Sequence, residues 1–505
     1  MTILLAQANP TLIAPIHVPN VEYSAMLPAL ILIGGALLLL LVVSVVRSRP
    51  PWLWTGMTLA TGAATMVSSL VLWFDVRDDG PRRVVADALV VDGFAVFFMV
   101  LIAVTVILGA LLATTYLDRE GFPGPEFYVL MLLSASGAVV MASANDLIVL
   151  FLGLEILSIA LYVLAGFHPR RLESKEAAMK YFVLGAFSSA LFLYGVALVY
   201  GATGSTNLGS IRTFLASNVA PNGGVLLAGV ALLLVGLGFK VAVVPFHTWT
   251  PDVYQGSPSP ATGFMAAAAK AAGFAGLLRV FFSTFSTLRL DWRPVVFVLA
   301  VITLLVGSVL AVVQTDIKRM LAYSSISHAG YVLIGLQAAS SAGIAGSLFY
   351  LLAYTFMVLG SFAVVTVMGR QGDADHDLSA YRGLASRRPA LALAFTVLLL
   401  SQAGVPFTTG FLAKFYVISA AVQSRSYALA LIGMLSAVIA AFFYLRITVL
   451  MYTPPADDGA DVRSRPLAVP AATALVVGVA AAFTIAFGLV PAPMIHFARQ
   501  ATLLL

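Results

Sequence analysis

The sequence has no cysteine among its 505 residues, so disulfides and thiolate ligation of zinc, haem or iron–sulfur clusters are closed to it. Any electron carrier it works with is held by another chain. Charge is scarce as well: 10% of residues are Asp, Glu, Lys or Arg, where a soluble domain carries roughly 25%. That is too little polar side chain to cover a water-facing surface. The formal charge of +6 rests on arginines placed singly or in pairs at segment ends, not on patches interleaved with aromatics, which excludes a nucleic-acid partner. There is no dinucleotide glycine motif, nucleophile triad or metal-ligand cluster. Residues 1–22 lack a basic start and a long apolar run and are broken by Pro10, Pro15 and Pro19, so no cleavable signal is expected.

What fills the chain is apolar sequence, 61% hydrophobic residues with a mean hydropathy of +1.00. Runs of about 20 apolar residues, each able to cross a hydrocarbon core of roughly 30 Å, recur from Leu27 almost to the C-terminus. The expected fold is an all-α polytopic membrane protein of about fourteen transmembrane helices. The spans are 25–46, 52–74, 93–116, 126–142, 145–166, 177–201, 224–249, 260–284, 294–313, 317–338, 343–369, 390–423, 427–452 and 467–490. Pro245 lies well inside the seventh and Pro406 inside the twelfth, so both helices should break.

Basic residues near segment ends set the orientation. With the N-terminus outside, the inside loops hold Arg47, Arg49, Arg119, Arg170, Arg171, Lys175, Lys318, Arg319, Arg370, Arg382, Arg387, Arg388, Arg463 and Arg465. The outside loops hold fewer, chiefly Arg77, Arg82, Arg83, Arg212, Arg289, Arg293, Arg425 and Arg499. The positive-inside bias thus places both termini outside. The two prolines also belong to an internal echo, Val244-Pro-Phe-His-Thr248 against Val405-Pro-Phe-Thr-Thr409, on spans of opposite direction. Paired broken helices of opposite direction mark inverted-repeat transporters, whose ion sites lie at the breaks. Two ordinary proline kinks would give the same pattern.

Six lysines stand against 22 arginines. Arginines mark loops and ends, whereas Lys240, Lys270 and Lys414 fall deep in apolar spans and Lys180 near the inner end of the sixth. Lysine can be discharged when desolvated; a guanidinium cannot. Glu155 is the carboxylate in the middle of an apolar helix, and a buried anion calls for a cation, for which Lys240 is the candidate. His247 follows the first break and His328 lies in the tenth span, where each is either a proton shuttle or a hydrogen-bonded core histidine. Lys180 equally suits a snorkelling surface lysine. Tyr254, Tyr323 and Tyr331 read as packing or interface aromatics, and Asp252 as a loop or capping residue.

The stretch Gly238-Phe-Lys-Val-Ala-Val-Val-Pro-Phe-His-Thr-Trp-Thr-Pro-Asp-Val-Tyr-Gln-Gly-Ser-Pro-Ser-Pro260 resembles the antiporter-like subunits of respiratory complex I, the proton-translocating NADH-quinone oxidoreductase. Larger sister subunits of that family usually differ between Trp249 and Pro258. The resemblance extends from the third span to the thirteenth, through the Glu155 helix, the run Met179 to Ala190, Ala269-Lys-Ala271 and Gly410-Phe-Leu-Ala-Lys-Phe415.

It implies fourteen helices with two inverted five-helix repeats, which here would be helices one to three in 1–120, the repeats in 121–290 and 291–455, and a last helix and tail in 456–505. It also implies that Glu155 matches the glutamate of helix five, Lys240 its partner on broken helix seven, Lys270 the central lysine of helix eight and Lys414 the terminal lysine on broken helix twelve. Lys180, His247 and His328 match further polar positions of a buried hydrophilic axis. By the same resemblance, NADH, FMN, iron–sulfur clusters and quinone belong to other subunits of a bacterial plasma-membrane complex, and this chain carries none of them. A second antiporter-like subunit and small membrane subunits would be its neighbours. Two other readings stay open: a subunit of a multi-subunit cation/proton antiporter, and a passive scaffold whose buried charges only hold helices together.

Overall fold

In hydrocarbon a backbone N–H or C=O finds no water, so each apolar run closes its own hydrogen bonds as a helix. The computed structural model describes residues 21–46, 51–122, 124–218, 223–374, 376–454, 467–501 and 503; Arg47, Arg49, Arg463 and Arg465 lie outside the described residues. Helices α1 (Tyr23–Val45) and α2 (Pro51–Asp79) lead to an antiparallel hairpin, β1 (Arg82–Val84) and β2 (Leu89–Val91), with Arg82 opposite Val91. Then come α3 (Gly93–Glu120), α4 (Pro125–Ser143), α5 (Leu147–Ala165), α6 (Leu172–Thr203), the short α7 (Leu208–Ser217), α8 (Gly223–Lys240) and α9 (Trp249–Gly256). The next span is composite: α10 (Ser259–Phe264) passes through a π-helical turn, Met265–Ala269, into α11 (Lys270–Leu278) and a second π turn, Arg279–Thr284. The rest comprises α12 (Arg289–Val312), α13 (Ile317–Gln337), α14 (Ser341–Met368), α15 (Leu384–Arg387), α16 (Pro389–Ala403), α17 (Thr409–Gln423), α18 (Tyr427–Tyr452), α19 (Ala471–Leu489) and α20 (Ala492–Gln500).

Among the described residues, twelve helices are long and apolar enough to cross a bilayer. The tenth and twelfth expected spans fall outside that set for different reasons. Span ten is α13, which carries Lys318, Arg319, Ser324, Ser325, Ser327 and His328; almost its whole surface is buried by protein, so lipid does not demand apolar side chains there. Span twelve is divided into α16 and α17, each too short alone. Span seven is also divided, and its second half, α9, runs to Gly256 although the sequence suggested an end near 249. Pro251 does not stop α9 because it sits in the first turn, where a missing N–H breaks no bond.

Side chains set the helix ends. Asp92, Asp146, Asp316 and Ser340 each accept a hydrogen bond from a first-turn N–H of the helix that follows. The helices approach closely where small residues face each other. A Cβ on Gly195 would lie 2.9 Å from the Gly229 carbonyl, and one on Gly229 would lie 3.1 Å from the Gly195 carbonyl, which fixes the α6/α8 contact. The composite span Ser259–Thr284 and α14 are buried along almost their whole length, whereas α1, α2 and α19 lie at the rim and expose leucines and valines.

One arginine departs from the expectation that arginines mark loops and ends. Arg279, at the far end of the eighth span, is buried and forms a bidentate pair with Asp92, both bonds 2.9 Å. It also donates to the Ala142 carbonyl at 3.1 and 3.0 Å and lies 4.8 Å above the Phe94 ring. The fork suits this place because it answers both a capping carboxylate and an orphaned carbonyl at the end of α4. Arg279→Met takes the cation from a buried carboxylate and should cost about 3–5 kcal/mol. The expected outcome is a clearly lowered thermal-unfolding midpoint of the purified protein, with much of the loss recovered in Arg279→Met/Asp92→Asn.

Candidate functional site

Both breaks use the same turn. At the end of α8, Ala242 adopts φ +62°; the Val243 N–H donates to the Gly238 carbonyl (2.9 Å) and the Ala242 N–H to Phe239 (3.1 Å). At the end of α16, Gly404 adopts φ +94°; the Val405 N–H donates to Leu400 (3.0 Å) and the Gly404 N–H to Ser401 (2.9 Å). This left-handed cap terminates each helix, and Pro245 and Pro406, three and two residues later, stop it from resuming. The prolines therefore mark the breaks but do not start them. Each break leaves backbone carbonyls without helical partners deep in the protein. Trp249 Nε1 donates to one of them, Phe239, at 3.1 Å, and Lys414 Nζ donates to two, Gln402 and Ala403, at 2.8 Å each. Lys414 belongs to α17 but caps α16, where the negative end of the helix dipole points.

Lys240, the last residue of α8, is buried and donates to Ser158 Oγ on α5 (2.9 Å) and to the Tyr181 hydroxyl on α6 (3.2 Å). Tyr181 stacks on Trp249 at 4.5 Å between centroids, and Trp249 meets Tyr254 edge-on at 6.3 Å. The Tyr254 hydroxyl lies 3.4 Å from Ser325 Oγ. Lys270 donates to the Ser325 carbonyl at 2.5 Å and also to its hydroxyl, and sits 5.4 Å from the Tyr354 ring centroid. Three residues further along α13, His328 bonds the Tyr350 hydroxyl through Nδ1 (2.6 Å) and the Tyr444 hydroxyl through Nε2 (3.1 Å). Tyr350 stacks on Tyr331 at 5.8 Å, and Lys414 Nζ lies 5.0 Å from the Tyr331 centroid. A continuous polar and aromatic line thus joins Lys240, Lys270, His328 and Lys414.

Among the described residues, no carboxylate pairs with any of these three lysines; their partners are hydroxyls and backbone carbonyls. A buried ammonium held by neutral acceptors can release its proton without stranding a buried anion. The expected Glu155–Lys240 pair makes no direct hydrogen bond or salt bridge, but the two charges lie close enough for the Glu155 carboxylate to act on Lys240 through its field. Lys240 bonds Ser158, one turn beyond Glu155 on the same side of α5, while Glu155 is partly exposed with Oε1 buried and unbonded. His247 lies in the loop between α8 and α9 with Nδ1 buried and unbonded, and does not join the line. Lys180 is half-exposed and pairs with Glu176 and Asp252, both at 2.6 Å. Asp252 is no simple cap, since it also binds Arg319 at 2.6 Å. Tyr254 and Tyr331, read above as packing aromatics, stand in the line itself; Tyr323 does not.

A second cluster was invisible in the sequence. Lys318, counted among loop charges, is fully buried and lies 3.3 Å from Asp373, itself fully buried in the turn after α14. Asp373 also meets Arg171 (3.2 Å) and His376 (3.0 Å) and accepts from Ser259 Oγ (2.8 Å). Burial alone would raise the Asp373 carboxyl, but Lys318, His376 and Arg171 hold it well below the usual carboxylate value of 3.8. Its stabilisation is therefore present above 3.8 and lost only as pH falls through the lowered value, so the cluster stays intact at neutral and mildly acid pH. Nearby, Glu120 accepts from the Gly372 N–H at 2.9 Å and faces His168 at 3.5 Å.

Two broken membrane helices, a lysine at each and a polar line between them define the antiporter-like class of membrane protein. Residues 144–440 match the family described as NADH:quinone oxidoreductase/Mrp antiporter, transmembrane. The chain is 41% identical over 496 residues to NADH-quinone oxidoreductase subunit N of Trichlorobacter lovleyi, covering 96% of this chain and 98% of that one. It is 42% identical to subunit N of Parafrankia sp., covering 99% and 98%. The fold superposes on a chain of respiratory complex I from Thermus thermophilus with a TM-score of 0.79 and 34% identity, covering 94% of this chain and 100% of that one. A chain of the Mrp complex from Dietzia sp. shares the fold alone, with a TM-score of 0.82 at 21% identity. The chain belongs to the subunit N family of NADH-quinone oxidoreductases.

Gly404 offers a direct test of the second break. A Cβ there would lie 3.0 Å from Lys414 Cδ and 3.4 Å from its Nζ, and the left-handed backbone adds about 1–2 kcal/mol for a side chain. Gly404→Ala should lower the thermal midpoint of the purified complex and displace Lys414 from its carbonyls, with reduced proton pumping. An unchanged midpoint and normal pumping would show that this turn is not required.

Proposed function

We propose that this chain moves protons across the membrane within NADH:quinone oxidoreductase, driven by electron transfer in other subunits. The observation that carries the reading is the continuous line from Lys240 to Lys414, built of titratable groups with neutral partners and bounded by the two helix breaks. Lys240 and Lys270 hold protons near the centre, His328 relays between hydroxyls with one ring nitrogen donating and the other accepting, and Lys414 releases protons outward. Glu155, whose field reaches Lys240 and whose Oε1 is buried without a hydrogen-bond partner, couples the line to a neighbouring subunit; Lys180 and His247 serve secondary positions.

The same reading counts fourteen crossings, the twelve apolar helices plus α13 and the α16/α17 pair. It divides the chain into 1–120, two inverted repeats over 121–290 and 291–455, and 456–505, with helices seven and twelve broken at equivalent places by the same left-handed cap. Both termini face outward. NADH, FMN, iron–sulfur clusters and quinone are bound by partner subunits, which include a second antiporter-like subunit and small membrane subunits. The match to subunit N chains at 41–42% identity over nearly the whole length favours this reading over a cation/proton antiporter, which shares the family match over 144–440 but whose solved chain is only 21% identical.

Two measurements test it. In the assembled enzyme, Lys240→Ala and Glu155→Ala should each abolish most proton pumping per NADH oxidised in sealed vesicles; normal pumping in both would sink the assignment. Because the chain has no native cysteine, a single cysteine at position 2 or 504 reports orientation. Both should react with a membrane-impermeant maleimide only from the outer face.

A further inference from the structure

The line from Lys240 to Lys414 is buried, and a proton must reach it from water. At the arginine-rich end of the bundle a cavity of about 520 Å³ is lined by Arg171, Lys180, Asp252, Gly256, Gly372 and His376, among others. It reaches the surface, since Glu173 and Glu176 on its rim are exposed. Beneath its floor lies the Asp373 cluster. Lys318 touches Asp373 on one side and on the other donates to the Ser257 carbonyl (2.5 Å), where α9 ends. It therefore ties together the turn after α14, the second half of broken helix seven, and, through Asp373 and Ser259, the start of the Lys270 helix.

On α13, Lys318 and Ser325 are seven residues apart and so share a face two turns along. Ser325 binds Lys270 and neighbours Tyr254. Only one short polar stretch thus separates the cavity floor from the central lysine. At the cavity floor Ser257 Oγ is buried without a hydrogen-bond partner, as is Thr250 Oγ1 on α9. Buried hydroxyls left in this way are sites for water.

We propose that this cavity is the mouth through which protons reach Lys270, and that the Lys318–Asp373 pair is the gate across it. While the pair is closed, Lys318 holds α9 and the Lys270 helix together and no water crosses. When it parts, water bonds to Ser257 and Tyr254, and a proton from the water of the cavity passes along these hydroxyls to the neutral amine of Lys270. Lys270 becomes an ammonium on the Ser325 oxygens, and the bulk water at that face supplies the proton. Arg171, His376 and Ser259 also face Asp373, and they keep the carboxylate compensated while Lys318 is away. Lys318 and Asp373 act as positioning residues. The inference rests on the proton-moving role of Lys270 proposed above.

The test uses the assembled enzyme in sealed vesicles. Ser257→Cys introduces the only thiol of this chain, and a small cationic thiosulfonate is applied at the arginine-rich face, with the mass shift of this chain as readout. Labelling should be slow with the pair intact and about tenfold faster or more in Lys318→Met/Asp373→Asn, as for a local opening that has lost its latch. The double variant removes both charges together, which a fold tolerates better than removing one. In the same double variant, without the cysteine, protons pumped per NADH should fall by about as much as in Lys270→Ala. Equal labelling rates, or normal pumping in the pair variant beside a defective Lys270→Ala, overturn the gate alone. Normal pumping in Lys270→Ala overturns the role of Lys270 itself. If every pair variant fails to assemble while Lys270→Ala assembles, the pair is a structural pin and the gate is refuted.

Discussion

A lysine ammonium placed in a hydrocarbon-spanning bundle is the constraint on which the rest of this structure depends. Desolvation opposes the charge, and the usual remedy, a partnering carboxylate, would fix the proton in place. Here the three deep lysines rest on hydroxyls and carbonyls instead. Such acceptors exist in a membrane helix only where the helix is interrupted or where serine and tyrosine replace apolar side chains. The left-handed caps at Ala242 and Gly404 expose the carbonyls, and the polar face of α13 provides Ser325 and His328. The helices that surround α13 and α14 keep lipid away from both, which is why so polar a helix can lie at the centre.

The two ends of the bundle solve the opposite problem in different ways. At one end Arg279 grips Asp92 and the Ala142 carbonyl near the end of α4 in a compact knot. At the other, Asp373 is shared among Lys318, Arg171, His376 and Ser259 beneath a cavity, with unbonded hydroxyls beyond it. A guanidinium fork bound on all sides is suited to holding helices together. A lysine on a flexible stem, shared between a carboxylate and a carbonyl, is suited to changing partners.

Much of this was legible in the sequence. Hydropathy located every span, with most ends within about five residues and the seventh reaching Gly256 instead of 249, since each apolar run must form its own helix. The scarcity of lysine pointed to Lys240, Lys270 and Lys414, because a titratable cation in an apolar run has no ordinary reason to be there. The prolines marked both breaks, although the turns begin earlier, at Ala242 and Gly404, and an alanine in a left-handed conformation carries no sequence signal. Lys318 escaped notice because, at a span end, it looks like any charge of the positive-inside bias. Tyr254, Tyr331, Tyr350 and Tyr444 escaped because tyrosine is as common in packing as in hydrogen bonding, and only the position of the hydroxyl separates the two uses. The opposite charges of Glu155 and Lys240 were legible as a match, but only the packing decided that Ser158, one turn on, takes the hydrogen bond while Glu155 acts through its field.

The amino-acid sequence by itself determined the solvent, the helical class, the number of long apolar runs, the absence of thiolate chemistry and the type of each buried charge, because these follow from composition and local backbone demand. Only the tertiary structure decided which groups meet. Lys240 reaches Ser158 across 82 residues, Lys270 reaches Ser325 across 55 and Arg279 reaches Asp92 across 187. Such pairings depend on helix rotation and register, which are fixed by packing at contacts such as Gly195 against Gly229 and not by hydropathy. A charge can be seen to be out of place along the chain, but its partner is set by how the helices turn toward one another.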